Sequence, residues 1–186
     1  MKSLIIVFSL VFLSFANMLG QNTYFTKTGS VDFYSKATVE EISAVNKKAT
    51  SILDKVAGTL EFSLLVKSFE FEKALMEEHF NENYMESDKF PKSTFKGSIS
   101  NIKDVNFAKD GTYKVSTAGT LTMHGISKQV TIPGTITIKG GKISASSTFM
   151  VLLSDYNIAI PSVVKDKIAK DIKITVNCDY ELYVKP

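Results

Sequence analysis

The sequence has no arginine: all 22 of its basic residues are lysine. Arginine's planar fork is the usual means of gripping phosphate or carboxylate at two points, and its absence argues against a nucleic-acid partner. A formal charge of only +3 gives no field to attract one. Cysteine is nearly absent too. The single Cys178 cannot form an internal disulfide, so the fold must be held by its core. No Gly-rich phosphate loop, G-x-S-x-G or CxxC occurs.

Long apolar runs are also missing. The one from Leu4 to Leu13, interrupted by Ser9, is too short and ends too abruptly for a stable membrane span. With Lys2 before it and small residues after it, the run reads as a secretory signal peptide over residues 1–20, with cleavage after Gly20 favoured over Ala16. The expectation is an exported protein, periplasmic or secreted, whose mature domain is residues 21–186. No cysteine lies near the cleavage zone to carry a lipid anchor.

What is present is alternation. Leu60, Phe62, Leu64 and Val66 alternate with polar residues, broken only by Leu65. Tyr113 to Met123, Val130 to Ile138 and Ile172 to Val184 do the same over longer runs. Period two over such lengths means strands with one dry and one wet face. Further strand candidates are Ser30–Ala37, Glu41–Lys48, Phe95–Ile102 and Lys142–Leu153. Asp110-Gly111, His124-Gly125 and Gly140-Gly141 are tight-turn signals between successive runs. The expected fold is mainly β: one antiparallel up-and-down barrel of about eight strands. Two segments break the pattern, a helix over about Glu70–Tyr84 and a short helix or turn from Pro161.

The first of these invites a chemical reading. EKALMEEHFNENYMESDKFPKSTF, residues 72–95, holds five Glu, one Asp and one of the two His. A metal or acid–base site wants ligands converging at i,i+3 or i,i+4. On a helix, His79 finds only Glu82 and Asn83 at that spacing. Placed among Phe71, Leu75, Met76 and Phe80, it reads as a packed structural residue, with the acids facing water. His124, in LTMHGISK, reads as a turn residue whose side chain ties a loop. Cys178 falls on the dry face of the last strand and reads as a small buried hydrophobe. The residues therefore suggest no catalytic group and no metal ligand. An enzyme built on His79 or His124 with nearby carboxylates stays as an alternative.

The inward parity of the runs supplies Phe62, Leu64, Phe95, Val115, Phe149, Val151, Ile172 and Ile174 as the apolar lining. An eight-stranded barrel is either filled by such residues or holds one small ligand. Alternation leaves open a hollow interior and a solid-core structural barrel.

Three segments carry a resemblance. FEFEKALMEEHFNENYMESDKFPKSTFKGSI contains His79-Phe80, then Asp88-Lys89-Phe90-Pro91, then Thr94-Phe95. GTLTMHGISKQVTIPGTITI and LSDYNIAIPSVVKDKIAKDIKITV follow in order. Together they resemble the YceI-like lipid-binding proteins over residues 60–184. Asn157 stands where that family has Gly, and TYFTKTGSVDFYSKA lacks the His-Ser of its first strand. The resemblance implies a lipocalin-like barrel with one or two short helices near its mouth. It also implies a bacterial exported protein that sequesters or carries an isoprenoid, a quinone or a similar amphipathic lipid, with no other cofactor. Whether it dimerises stays open.

Overall fold

The structure, a computed structural model, describes residues 22 to 184. The signal-peptide reading of residues 1–20 lies outside the described residues. Nine strands form one sheet: β1 (Thr23–Lys36), β2 (Glu41–Asp54), β3 (Thr59–Leu65), β4 (Glu70–Phe71), β5 (Lys92–Ile99), β6 (Gly111–Met123), β7 (Ile126–Lys139), β8 (Lys142–Leu152) and β9 (Asp171–Leu182). Apart from the two-residue β4, their order is β1-β9-β8-β7-β6-β5-β3-β2, and β2 pairs back to β1. The result is a closed eight-stranded antiparallel barrel.

Turn chemistry sets the register. His124 and Gly125 both have positive φ (50° and 73°), as do Gly140 and Gly141 (56° and 76°). Each pair makes the two-residue hairpin that matches strand twist. The second turn is held by Asp110, whose carboxylate accepts the Gly140 N–H.

β1 and β2 begin earlier or run further than alternation suggests. β1 starts at Thr23, and register shifts lie between Thr26 and Gly29 and between Gly29 and Val31. β2 continues from Lys48 to Asp54. The buried side chains of β2 change parity from Ala44 and Asn46 to Ala49, Ser51 and Leu53. Asn46, fully buried, stitches this irregularity: its Oδ1 accepts the Lys48 N–H at 2.9 Å, and its Nδ2 donates to Leu65 O at 2.9 Å. A buried amide must be satisfied in this way.

The expected helix over Glu70–Tyr84 is a correction. Glu70–Phe71 pairs with β2, and α1 covers only Ala74–His79. A π turn, Phe80–Tyr84, follows, with the Met85 N–H bonded to Phe80 O at 2.9 Å. The wider turn breaks the 100° step on which a helical face depends. Phe71 and Phe80 still turn inward, but Leu75 is 60% exposed and His79 points to water. The packed His79 of the sequence reading is therefore an exposed one. At the far end, β9 stops at Leu182, and Val184, expected on its dry face, is exposed. From Pro161, the short helix is a 3₁₀ turn over Ser162–Val164. The segment that follows it is tied to β1 by the Ala169 N–H donating to Ser35 Oγ at 2.9 Å.

Candidate functional site

The barrel interior has three zones. At the end bearing the β2–β3 and β7–β8 turns it is solid: Leu53, Ile99, Val115, Ile136, Ile138 and Ile143 pack together with Cys178 and Tyr180. At the opposite end, four phenylalanines, Phe33, Phe69, Phe71 and Phe80, meet edge-on, tilted or, for Phe33 and Phe80, stacked, with centroids 5.0–6.5 Å apart. Beside them Val66, Met85, Val151, Tyr156 and Ile158 form a second plug. Between the two ends lies a hollow of about 210 Å³.

All eight residues named from inward parity line this hollow: Phe62, Leu64, Phe95, Val115, Phe149, Val151, Ile172 and Ile174. The structure adds Val31, Phe33 and Leu53 from β1 and β2. Those were hidden by the register shifts, which reverse the parity that points a side chain inward. Phe95 owes its pose to two glycines. Gly97 and Gly119 face one another across β5 and β6, and the tip of the Phe95 ring lies where their Cβ atoms would stand. The aromatic ring covers the bare backbone and sets the wall of the hollow there.

Polar groups in the lining are few and mostly committed. Ser51 Oγ donates to Glu61 O at 3.0 Å and lies 2.7 Å from the Tyr180 hydroxyl. Burial pushes the Tyr180 hydroxyl well above its ordinary pKa, and it pushes the Cys178 thiol up to about 11. Neither ionises near neutral pH. The hollow therefore presents an apolar, uncharged surface, suited to dispersion contacts and burial rather than to charge recognition.

The histidines stand apart from it. His124, 9% exposed, takes the left-handed conformation at the β6–β7 turn. Its Nδ1 lies 2.9 Å from Tyr156 O and its Nε2 2.8 Å from Glu86 Oε2, with the Phe90 ring edge-on at 4.8 Å. It ties three segments together, as the sequence reading expected of a turn residue. His79 lies exposed on α1, and neither histidine lines the hollow. An enzyme using both would need them to converge on a cavity with a carboxylate, and the structure does not bring them to it. Among the described residues, no group of three or more His, Cys, Asp or Glu is placed to hold a metal ion. No helix among them is long and apolar enough to cross a membrane.

A family model described as "YceI-like domain" matches residues 9–180. No curated protein matches the chain. Among solved structures, the chain is similar to a polyisoprenoid binding domain from Saccharophagus degradans implicated in plant cell wall breakdown. That match has TM-score 0.76 and 13% identity, and covers 88% of this chain and 99% of the other. It is also similar to BcnA of Burkholderia cenocepacia, with TM-score 0.66 and 19% identity over 82% and 96% of the two chains. A third likeness is to the YceI protein of Campylobacter jejuni, with TM-score 0.54 and 18% identity over 75% and 84%. At these identities the likenesses establish a shared barrel.

Proposed function

The chain belongs to the YceI-like family, and we propose that it is a binding protein that holds a lipid, of the isoprenoid kind or similar, in its barrel. The hollow itself carries this reading: an uncharged apolar chamber, walled by all eight inward-parity residues, in a fold shared with a polyisoprenoid-binding domain. Binding would come from removing the ligand's tail from water, at about 25 cal/mol per Å² of apolar area before the costs of association. With Ser51 and Tyr180 already bonded to one another, the interior offers a head group little. Chain length should therefore govern affinity more than head chemistry.

Ligand capture also fits the arrangement better than turnover. His79 lies on the outer surface, His124 is occupied in tying segments together, and neither lines the hollow. The signal-peptide pattern of residues 1–20 supports placement in the periplasm or outside the cell, where a soluble carrier for an apolar molecule has work to do.

The test is a titration of delipidated protein with two ligand series: isoprenoid alcohols of increasing length, and one chain length bearing different heads. Affinity rising with length and nearly constant across heads is the expected result. Affinity that follows the head, or no binding at any length, would overturn the reading.

A further inference from the structure

Packed side chains fill both ends of the barrel, and its ladder is broken along one side. β6 and β7 pair over their whole length, from Gly111↔Ile138 to Met123↔Ile126. β8 and β9 pair from Ile143↔Tyr180 to Leu152↔Asp171. Between β7 and β8, however, the ladder runs only from Lys139↔Lys142 to Gly134↔Ser147. Beyond that point Ile126–Pro133 and Thr148–Leu152 lie on neighbouring strands with no ladder between them.

The break falls at a proline, and the backbone shows why. Ser116, opposite Pro133 on β6, spends its own N–H on Asn101 Oδ1 and its carbonyl on the Ser100 N–H, both on the side away from β7. Ser116 and Pro133 are therefore a non-hydrogen-bonded pair, and the backbone N and O of Pro133 face β8. That N has no hydrogen to donate. The carbonyl is taken by a side chain instead, Ser147 Oγ donating to Pro133 O at 2.6 Å. A second latch closes the far end of the gap, where Lys128 pairs with Asp155 at 3.7 Å. Five residue steps separate Pro133 from Lys128, so the slot between the latches is about 16 Å long.

Exposure follows the break. On the inward face of β7, Ile136 and Ile138 are 1% and 3% exposed, whereas Ile132 and Val130, further along the same face, are only half-buried. Phe149 across the slot is also half-buried. Among the described residues that line the hollow, two are exposed, Pro133 and Ser146, and both stand at this seam.

We propose that the slot between β7 and β8 is where a single-chain ligand leaves the barrel, with its tail in the hollow and its polar end outside, in water beside the exposed Thr148. This rests on the lipid-binding reading and adds the ligand's shape to it. An apolar cavity of about 150 Å³ already suffices for a benzene-sized guest, so a hollow of about 210 Å³ holds a short apolar segment. A longer chain must emerge. The solid core occupies one end and the phenylalanine cluster the other. The side slot is left, and a hollow of that volume takes a segment of one chain rather than several tails side by side.

The test bridges the slot. If the ladder ran on, Thr131 and Met150 would face one another, and both point to solvent. Thr131→Cys with Met150→Cys, joined by a short bismaleimide, closes the slot without touching the lining; Cys178 is buried. The readout is the uptake rate of a farnesyl chain bearing a fluorophore at its polar end. Cross-linking should slow uptake by about tenfold or more, because entry then needs local strand opening. The same double variant before cross-linking should match the wild type. Pro133→Thr, which restores a donor facing β8, should slow uptake in the same direction without any cross-link. Uptake unchanged by the bridge would overturn the slot while leaving the lipid-binding reading standing. A wild-type protein that takes up no chain would overturn both.

Discussion

The hydroxyls of Ser51 and Tyr180 lie 2.7 Å apart inside the barrel, joining strands β2 and β9. Ser51 has one hydrogen and gives it to Glu61 O, so Tyr180 is the donor to Ser51. The direction makes the two halves of the pair unequal. Ser51→Ala leaves the buried Tyr180 hydroxyl with only the weak Cys178 sulfur as partner and should cost about 1–3 kcal/mol. Tyr180→Phe leaves Ser51 still bonded to Glu61 and should cost about 1 kcal/mol or less. Urea denaturation of both variants decides it, and a larger loss for Tyr180→Phe would contradict the assignment.

Burial of Cys178 and Tyr180 also fixes an alkaline limit. The Cys178 thiol, with an ordinary pKa of 9.0, is raised to about 11, and Tyr180 is raised from 10.0. Above pH 9 the unfolded chain loses these protons while the folded chain keeps them. The unfolded state then binds fewer protons, and stability falls as pH rises. Two pKa steps at Cys178 correspond to about 2–3 kcal/mol by pH 11. The melting temperature followed from pH 8 to 11 should drop less steeply in Cys178→Ala than in the wild type. Parallel slopes would contradict the burial of that thiol.

The glycine pair under Phe95 should be intolerant of any side chain. A Cβ at Gly119 would meet the backbone of β5 as well as the ring. Gly119→Ala should cost about 2–4 kcal/mol, as overpacking against backbone does. Gly141→Ala, whose Cβ meets nothing, should cost only about 1 kcal/mol for its positive φ. Adding Phe95→Ala to Gly119→Ala should not restore stability, because the backbone contact remains. Thermal melts of the three variants test this order.

The two histidines should behave oppositely. His124→Ala removes ties to Glu86 and Tyr156 and should cost about 2–3 kcal/mol. His79→Ala, on an exposed face, should stay within about 0.5 kcal/mol of the wild type. A larger loss from His79→Ala would mean that α1 packs in some way its exposure conceals.

Much of this barrel was legible in the sequence, for a physical reason. β6 to β9 alternate because one face is dry and the other wet, and their turns, His124-Gly125 and Gly140-Gly141, name themselves by their need for positive φ. The eight lining residues follow from the same parity. What stayed hidden lies where that parity fails. β1 and β2 bury Thr26, Ser35, Asn46 and Ser51, the last three satisfied by partners far along the chain, and their irregular register shifts the inward face midway. The opening helix misled for a related reason, since the π turn at Phe80 is set by tertiary packing of the phenylalanine cluster. The slot was hidden too. Pro133 sits in an apolar-alternating run, and only the pairing of Ser116 reveals which neighbour its missing N–H faces.

The central claim is that the hollow is a lipid site, and native mass spectrometry after gentle purification tests it most directly. Incubation with a single-chain polyprenol should give a one-to-one complex. That complex should be lost when Val115→Trp fills the hollow in a chain that still melts cooperatively. Protein recovered empty from every polyprenol, or a complex indifferent to the filled hollow, would contradict the account.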